Sequence, residues 1–294
     1  MRAVVRGLVR PVLGPRTPVP LQRRWLDLVT GMTPLADGVD VRAGELGGRP
    51  VEVIAPRHGD ASRRVLYLHG GGFTIGSART HRALATHLAA ASGATVHLLD
   101  YRLAPEHPFP AGLDDALAAY RDLLDAGADP ARTAVAGDSA GGWLALTAAL
   151  RLREAGDPLP AALGLVSPWL DLLGTAWPVD RSDAMLRPSW LRRCAHGFAP
   201  GADLAGADLA PLDADLAGLP PLVVHVGSEE ILLPDAVRLA VAARAAGVRV
   251  ELRRWDGLWH VAHASAGMVT ASTAAVHTLG SSLAAHLSPA AARS

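Results

Sequence analysis

The chain has 294 residues, of which 50% are hydrophobic, and its 28 basic residues balance its 28 acidic residues. This composition excludes a disordered chain, which would be poor in apolar residues and rich in net charge. It also lacks the basic surplus that a nucleic-acid-binding protein carries, so we expect no nucleic-acid partner. The single cysteine, Cys194, excludes an intramolecular disulfide and a Cys-based zinc cluster, and the absence of lysine excludes Schiff-base chemistry.

The first segment along the chain, residues 1–38, is predicted to form one or two helices. Arg2, Arg6 and Arg10 interrupt its apolar residues, which is not typical of a secretory signal peptide. Nowhere do about 20 apolar residues run without a charge or a Pro or Gly break, so no membrane span is predicted. We therefore expect a soluble, cytoplasmic protein.

From about residue 39 onward, short apolar runs alternate with helical patterns. The predicted strands are Val51–Ala55, Val65–His69, Thr95–Leu99, Thr133–Gly137, Leu163–Ser167, Leu222–Val226 and Val248–Leu252. The predicted helices are Arg79–Ala91, Leu113–Ala126, Ala140–Glu154, Pro234–Ala246 and about His263–His286. Such alternation indicates an α/β fold with a mostly parallel central sheet and helices on both faces. Residues 171–219 break the alternation and are too long for a plain loop, so we expect them to form a lid.

The segment Gly137-Asp138-Ser139-Ala140-Gly141 lies between a predicted strand and a predicted helix. This is the strand–turn–helix setting of a G-x-S-x-G nucleophile elbow. Glycines are needed there because the turn is sharp and side chains two positions from the serine would collide. Ser139 is therefore the candidate nucleophile, at a helix N-terminus that favours negative charge.

A second glycine-rich segment, His69-Gly70-Gly71-Gly72-Phe73, follows the strand that begins at Val65. Acyl transfer develops a negative oxygen, which backbone N–H groups can stabilise if they are aimed at it beforehand. We expect the amides of Gly71, Gly72 and Ala140 to form this oxyanion hole. His69 itself is predicted to be structural.

The catalytic base and acid should follow the serine in the order acid, then histidine. His260, in the loop after the last strand, is the first candidate for the base, and His263 is the second. Glu229 and Glu230 follow the strand Leu222–Val226, and either could orient the imidazole. The outside candidates for the acid are Asp235 and Asp256. His225 is predicted to be a core residue, and the surface or cap histidines are His58, His81, His87, His196, His277 and His286.

Together these segments resemble the bacterial hormone-sensitive-lipase-like (family IV) esterases, from about His69 to the C-terminal helix. The resemblance also involves the 101–111 stretch (Tyr-Arg-Leu-Ala-Pro-Glu-His-Pro-Phe-Pro-Ala), Ser167-Pro168-Trp169-Leu170-Asp171 and the 227–235 stretch. By alignment with that family, the acid is Glu230 rather than Glu229. Trp143, Val261 and Pro234 depart from the family pattern and bear on pocket shape.

The resemblance implies an α/β-hydrolase with a helical cap. Residues 1–38 would form the N-terminal cap segment and 39–294 the catalytic domain, with 171–219 as the cap insertion. It implies a serine carboxylesterase that hydrolyses small hydrophobic esters with short- to medium-chain acyl groups through a covalent acyl-enzyme, without metal or cofactor. Trp177 and Trp190 are candidate pocket walls, and a homodimer is possible. The alternatives are a non-catalytic small-ligand-binding hydrolase fold, or a hydrolase of amides, carbamates or lactones.

Overall fold

A computed structural model of the chain describes residues 1–178 and 183–288. Residues 179–182 of the predicted cap insertion, and 289–294 at the end of the predicted catalytic domain, lie outside the described residues. The strands are β1 (Val39–Leu46), β2 (Arg49–Pro56), β3 (Asp60–Leu68), β4 (Ala94–Leu99), β5 (Thr133–Asp138), β6 (Ala162–Val166), β7 (Leu222–Gly227) and β8 (Val250–Trp255). The α-helices are α1 (Arg2–Val4), α2 (Val19–Thr30), α3 (Ala78–Ser92), α4 (Ala111–Asp125), α5 (Ala140–Ala155), α6 (Pro188–Phe198), α7 (Leu233–Ala245) and α8 (Thr270–Leu287).

Within the described residues the strands form one eight-stranded sheet in the order β1-β2-β4-β3-β5-β6-β7-β8. The β1–β2 and β2–β4 pairs are antiparallel, and every later pair is parallel. The prediction of a mostly parallel sheet is therefore confirmed. The carboxyl ends of β5, β6 and β7 meet at one edge, where the loops that follow them come together.

Apolar residues of the central strands pack on both faces of the sheet. In β3, Leu66 and Leu68 belong to the core cluster that includes α4, α5 and α7, whereas Val65 and Tyr67 belong to the cluster that includes α3 and α8. All four are completely buried, because successive side chains in a strand point to opposite faces. This explains why the strands appear in the sequence as continuous apolar runs.

The last predicted strand and the last predicted helix differ from the structure. The predicted last strand, Val248–Leu252, is displaced toward the C-terminus, since β8 spans Val250–Trp255 at the edge of the sheet. The predicted helix His263–His286 is divided into a 3-10 turn, Ala262–Ser265, and α8. Gly267 lies between them with φ of +80°, a backbone conformation that ends a helix.

The N-terminal segment forms α1, a π-helical turn over Val5–Val9, and α2. Side chains hold it to the rest of the molecule. Gln22 accepts a hydrogen bond from the Trp190 indole at 2.8 Å, and Arg23 donates to the carbonyl of Thr74 at 2.9 Å and to Glu106. None of the helices described in the structure is long and apolar enough to cross a membrane.

Candidate active site

Ser139 lies in the turn between β5 and α5, with φ of 53° and ψ of −118°. An L-residue adopts positive φ only at a cost in free energy, so the surrounding structure must impose this conformation. A Cβ added at Gly137 would lie 2.4 Å from the carbonyl oxygen of Gly141, and one at Gly141 would lie 1.9 Å from that of Leu68. Both flanking glycines are therefore required sterically, as the elbow pattern predicts.

The loops after β5, β7 and β8 bring three polar side chains into one hydrogen-bonded row. Ser139 Oγ lies 3.0 Å from His260 Nε2, and His260 Nδ1 lies 2.9 Å from Glu230 Oε2. A carboxylate can only accept, so Nδ1 carries the hydrogen and Nε2 is free to accept from the serine hydroxyl. All three side chains are buried, which excludes water from competing for these bonds.

The structure separates the four carboxylates that the sequence offered as candidates. The Glu229 side chain is 40% exposed and forms an ion pair with Arg2 at 3.0 Å. Asp235 accepts from the backbone amides of residues 170 and 171 at 2.8 and 2.9 Å, and burial raises its pKa to about 7. Asp256 is bonded to Arg254 at the surface. Glu230 alone of the four contacts His260.

The electrostatic surroundings of His260 favour its protonated form. Burial by itself would lower the pKa of the imidazole, but the hydrogen bond to Glu230 and the charge of that carboxylate outweigh burial. Asp183 and Asp138 add to the same effect, and the net result is a pKa above the ordinary value of 6.5. An imidazole with these neighbours can hold a proton taken from a hydroxyl.

The other histidine candidate, His263, is bonded elsewhere. Its Nε2 lies 3.1 Å from Nδ1 of His225, which also accepts from the indole of Trp255 at 3.2 Å. Burial lowers the pKa of both His225 and His263 to about 3, so the pair is neutral at physiological pH. His225 is a core residue, as predicted.

The glycine-rich loop after β3 bends back toward the elbow. Gly71 and Gly72 have φ of 125° and 58°, and a Cβ on Gly71 would lie 2.0 Å from the carbonyl oxygen of Ile75. Across the described ranges, no protein group accepts a hydrogen bond from either amide. The amide of Ala140 is the first of α5, and the first N–H groups of a helix lack intrahelical partners.

A buried polar cluster behind the serine holds this loop. Asp138 accepts from the Tyr67 hydroxyl at 2.9 Å and from the Gly70 amide at 3.1 Å, and it lies 3.4 Å from His81 Nε2. Burial opposes both charges, but their mutual attraction lowers the pKa of Asp138 and raises that of His81. His81 was predicted to be a surface or cap residue, and this is wrong, because α3 carries it against the elbow. His69 stacks on Tyr101 at 4.3 Å, a structural role.

A cavity of about 100 Å³ opens beside Ser139 and His260. Its other lining residues are Val9, Leu13, Leu26, Thr30, Gly71, Gly72, Ile75, Thr80, His81, Asp138, Met185, Leu186, Trp190, Val261 and Ala264. Trp190 is a wall, as predicted, but Trp177 is not among the lining residues and packs on Gly174 instead. Trp143 lies outside the lining as well, and its ring packs edge-on against Phe73 and Phe198.

A second, outer cavity of about 210 Å³ adjoins the first. The two cavities share the lining residues Val9, Leu26, Thr30, Met185, Val261 and Ala264. The rest of the outer cavity is formed mainly by apolar side chains of the N-terminal segment, together with Trp259 and Met268. Mostly apolar side chains shared by the two cavities therefore lie between the serine and the N-terminal helices.

Two residues at the site have no individual prediction. Ser167, which the sequence shows only within the 167–171 motif, donates to Glu230 at 2.7 Å. Asp183 accepts from the amide of Ile231 at 3.1 Å and so joins the segment before α6 to the loop that carries Glu230. Neither contact has a local sequence signal, because each joins residues that are about 50 or more positions apart. In the described part of the chain, no group of three or more His, Cys, Asp or Glu side chains could hold a metal ion.

Known proteins are similar to this chain in sequence and in fold. The model of a family described as having the alpha/beta hydrolase fold matches residues 65–264. An acetyl-hydrolase of Streptomyces hygroscopicus is 44% identical over 75% of this chain and 78% of its own length. The crystal structure of an esterase from the bacterial hormone-sensitive lipase family is 40% identical, with a TM-score of 0.93 over 98% of each chain. EstE5, whose crystal was soaked with p-nitrophenyl butyrate, is 36% identical in sequence to this chain, with a TM-score of 0.90 over 97% of each chain.

Proposed function

Because the chain belongs to the hormone-sensitive-lipase-like esterases of the α/β hydrolase fold and is a carboxylic ester hydrolase, we propose that Ser139, His260 and Glu230 form its catalytic triad. The observation that carries the proposal is the row of two hydrogen bonds, 3.0 and 2.9 Å long, from the serine hydroxyl to the carboxylate. Ser139 is placed as the nucleophile, His260 as the base and Glu230 as the acid that orients the base, as acyl transfer requires.

The reaction has two balanced steps. His260 Nε2 takes the proton of Ser139 as Oγ attacks the ester carbonyl, and the same proton then passes to the departing alcohol as the C–O bond breaks. A water molecule next gives a proton to Nε2 and attacks the acyl-serine. The carboxylic acid leaves as Oγ recovers the proton, and Glu230 stabilises the imidazolium that forms in each step.

The amides of Gly71, Gly72 and Ala140 form the oxyanion hole of this mechanism. Each of the two tetrahedral intermediates places a negative oxygen where these donors can reach it. The positive φ angles of both glycines support this, because they turn the backbone of the loop in a way that a side chain would prevent. Loss of one such donor lowers kcat by about 10²–10³-fold in other hydrolases.

We assign short- to medium-chain esters as substrates. The inner cavity of about 100 Å³ is smaller than an engineered cavity of about 150 Å³ that holds benzene, so it fits a short acyl group. The outer cavity gives a longer chain a further apolar path. The cap that encloses both would consist of residues 1–38, which supply Leu26, and of the insertion 171–219, which supplies Trp190. The match to an acetyl-hydrolase supports small acyl groups.

Initial rates on p-nitrophenyl esters from acetate to palmitate test this function, for wild type beside Ser139→Ala, Glu230→Gln and Glu229→Gln. Ser139→Ala should abolish turnover and Glu230→Gln should lower kcat. Glu229→Gln, one residue away but paired with Arg2 and not with His260, should stay within twofold of wild type. A mass increase by one acyl group on wild type, absent from Ser139→Ala, would show the acyl-enzyme. Equal rates for wild type and Ser139→Ala would refute the proposal.

A further inference from the structure

The turn between β6 and Leu170 contacts two members of the proposed triad, Ser139 and Glu230, and the residue that follows the third, His260. The backbone amide of Ser139 donates to the carbonyl of Val166 at 2.9 Å, and the amide of Trp169 donates to the carbonyl of Ser139 at 3.1 Å. Between these two residues, the hydroxyl of Ser167 reaches the other side of the site. One short segment thus holds the nucleophile from both sides and extends toward the acid.

The Ser167 hydroxyl forms two bonds. It donates to Glu230 Oε1 at 2.7 Å and accepts from the backbone amide of Val261 at 3.2 Å. Val261 directly follows His260, so a single buried hydroxyl joins the acid to the loop that carries the base. Glu230 Oε1 also accepts from the amide of Gly227 at 2.6 Å, which leaves Oε2 directed at the imidazole.

The backbone at both ends of this bridge is unusual. Ser167 and Val261 have φ of 48° and 49°, in the left-handed region that side chains rarely occupy. Such conformations persist only where surrounding contacts impose them, and they concentrate at functional sites. The amide of Ser167 donates to the carbonyl of His225 at 2.7 Å, which holds this conformation against β7.

We propose that Ser167 is a positioning residue of the esterase, whose hydroxyl holds the Glu230 carboxylate and the His260 loop in register. The inference rests on the proposed triad. With the hydroxyl present, Oε1 has two donors and the carboxylate cannot rotate away from the imidazole. Without it, the carboxylate keeps one donor on Oε1, and the amide of Val261 loses its acceptor.

The test compares Ser167→Ala with Ser167→Gly in p-nitrophenyl butyrate hydrolysis. Both variants lack the hydroxyl, but glycine tolerates the positive φ and serves as a control for backbone strain. Both should lower kcat by about 10–100-fold, the range found for partners that orient catalytic-site ligands, with KM within twofold of wild type. A kcat within twofold of wild type for Ser167→Gly, at an unchanged unfolding midpoint, would overturn the proposal.

A double-mutant cycle with Glu230→Ala separates positioning from a general structural role. Once the carboxylate is gone, Ser167→Ala should lower kcat by a smaller factor than it does in the wild-type background, since only the bond to the Val261 amide is left to lose. An equal cost in both backgrounds would contradict the inference. If Glu230→Ala itself leaves kcat unchanged, the triad assignment fails instead, so the two failures are distinguishable.

The pH profile provides a readout that a loss of stability would not produce. The charged groups acting on His260 are Glu230, Asp183 and Asp138. A carboxylate that is free to rotate away from the imidazole stabilises the imidazolium less, so the acidic limb of kcat/KM should move to lower pH in both Ser167 variants. An acidic limb at the wild-type position in both variants would count against the proposal.

Discussion

Replacement of Leu26 by tryptophan should shorten the acyl chain that the enzyme accepts. Leu26 lies on α2 and lines both the inner cavity and the outer cavity. A larger ring at this position fills the passage between them while leaving the inner cavity beside Ser139 open. An acetyl ester would still reach the serine, whereas the end of an octanoyl chain would lose its apolar surroundings.

The magnitude follows from the cost of leaving methylene groups in water. Octanoate has four more methylenes than butyrate, and each buried methylene contributes about 0.8 kcal/mol, or about 3 kcal/mol in total. Since about 1.4 kcal/mol corresponds to a tenfold change in rate, the octanoate-to-butyrate ratio of kcat/KM should fall by up to about 200-fold. Incomplete burial in wild type reduces this, so we expect about a 10- to 200-fold decrease.

The assay is the ratio of kcat/KM for p-nitrophenyl octanoate to that for the butyrate, which cancels any change in active-enzyme fraction. Leu28→Trp is the matched control. It lies two residues further on the same helix and is 62% exposed, so its ratio should stay within twofold of wild type. If Leu26→Trp leaves the ratio unchanged, the acyl chain does not follow the path between the two cavities.

Three further results are expected. Because the hydrogen bond to Glu230 and the charge of that carboxylate outweigh burial and raise the pKa of His260 above 6.5, and the proposed base must be unprotonated, kcat/KM should fall as pH drops through a midpoint above 6.5; a midpoint below it would contradict this. Trp143→Ala should lower the free energy of unfolding by about 3–5 kcal/mol in urea denaturation, with a smaller loss for Trp143→Phe, because the ring is completely buried; similar losses for both would refute this. Buried neutral histidines gain protons on unfolding, so the urea concentration at the midpoint of unfolding should decrease when the pH is lowered from 6.5 to 4.5. An increase would contradict this. The pKa values of these histidines are lowered to about 3 in His69, His225 and His263 and to about 4 in His97.

Local sequence was sufficient for the elements that carry Ser139, the proposed nucleophile. A Cβ added at either glycine flanking Ser139 would lie 1.9 or 2.4 Å from a backbone oxygen, and such steric requirements appear as a motif. Gly71 is required for the same reason. The continuous apolar runs of the central strands likewise predicted a sheet that is covered on both faces.

The sequence by itself determined the fold class, the family and the residues beside the serine, because each depends on neighbours within a few positions along the chain. The residues alone left Glu229 and Glu230 open, and the family resemblance favoured Glu230. The tertiary structure shows that Glu230 contacts His260, because these adjacent side chains point in different directions. It also decided that His81 is buried against Asp138 and that Ser167 bonds Glu230. These contacts join distant segments at one edge of the sheet, and their geometry depends on how the strands are ordered, which no local pattern encodes.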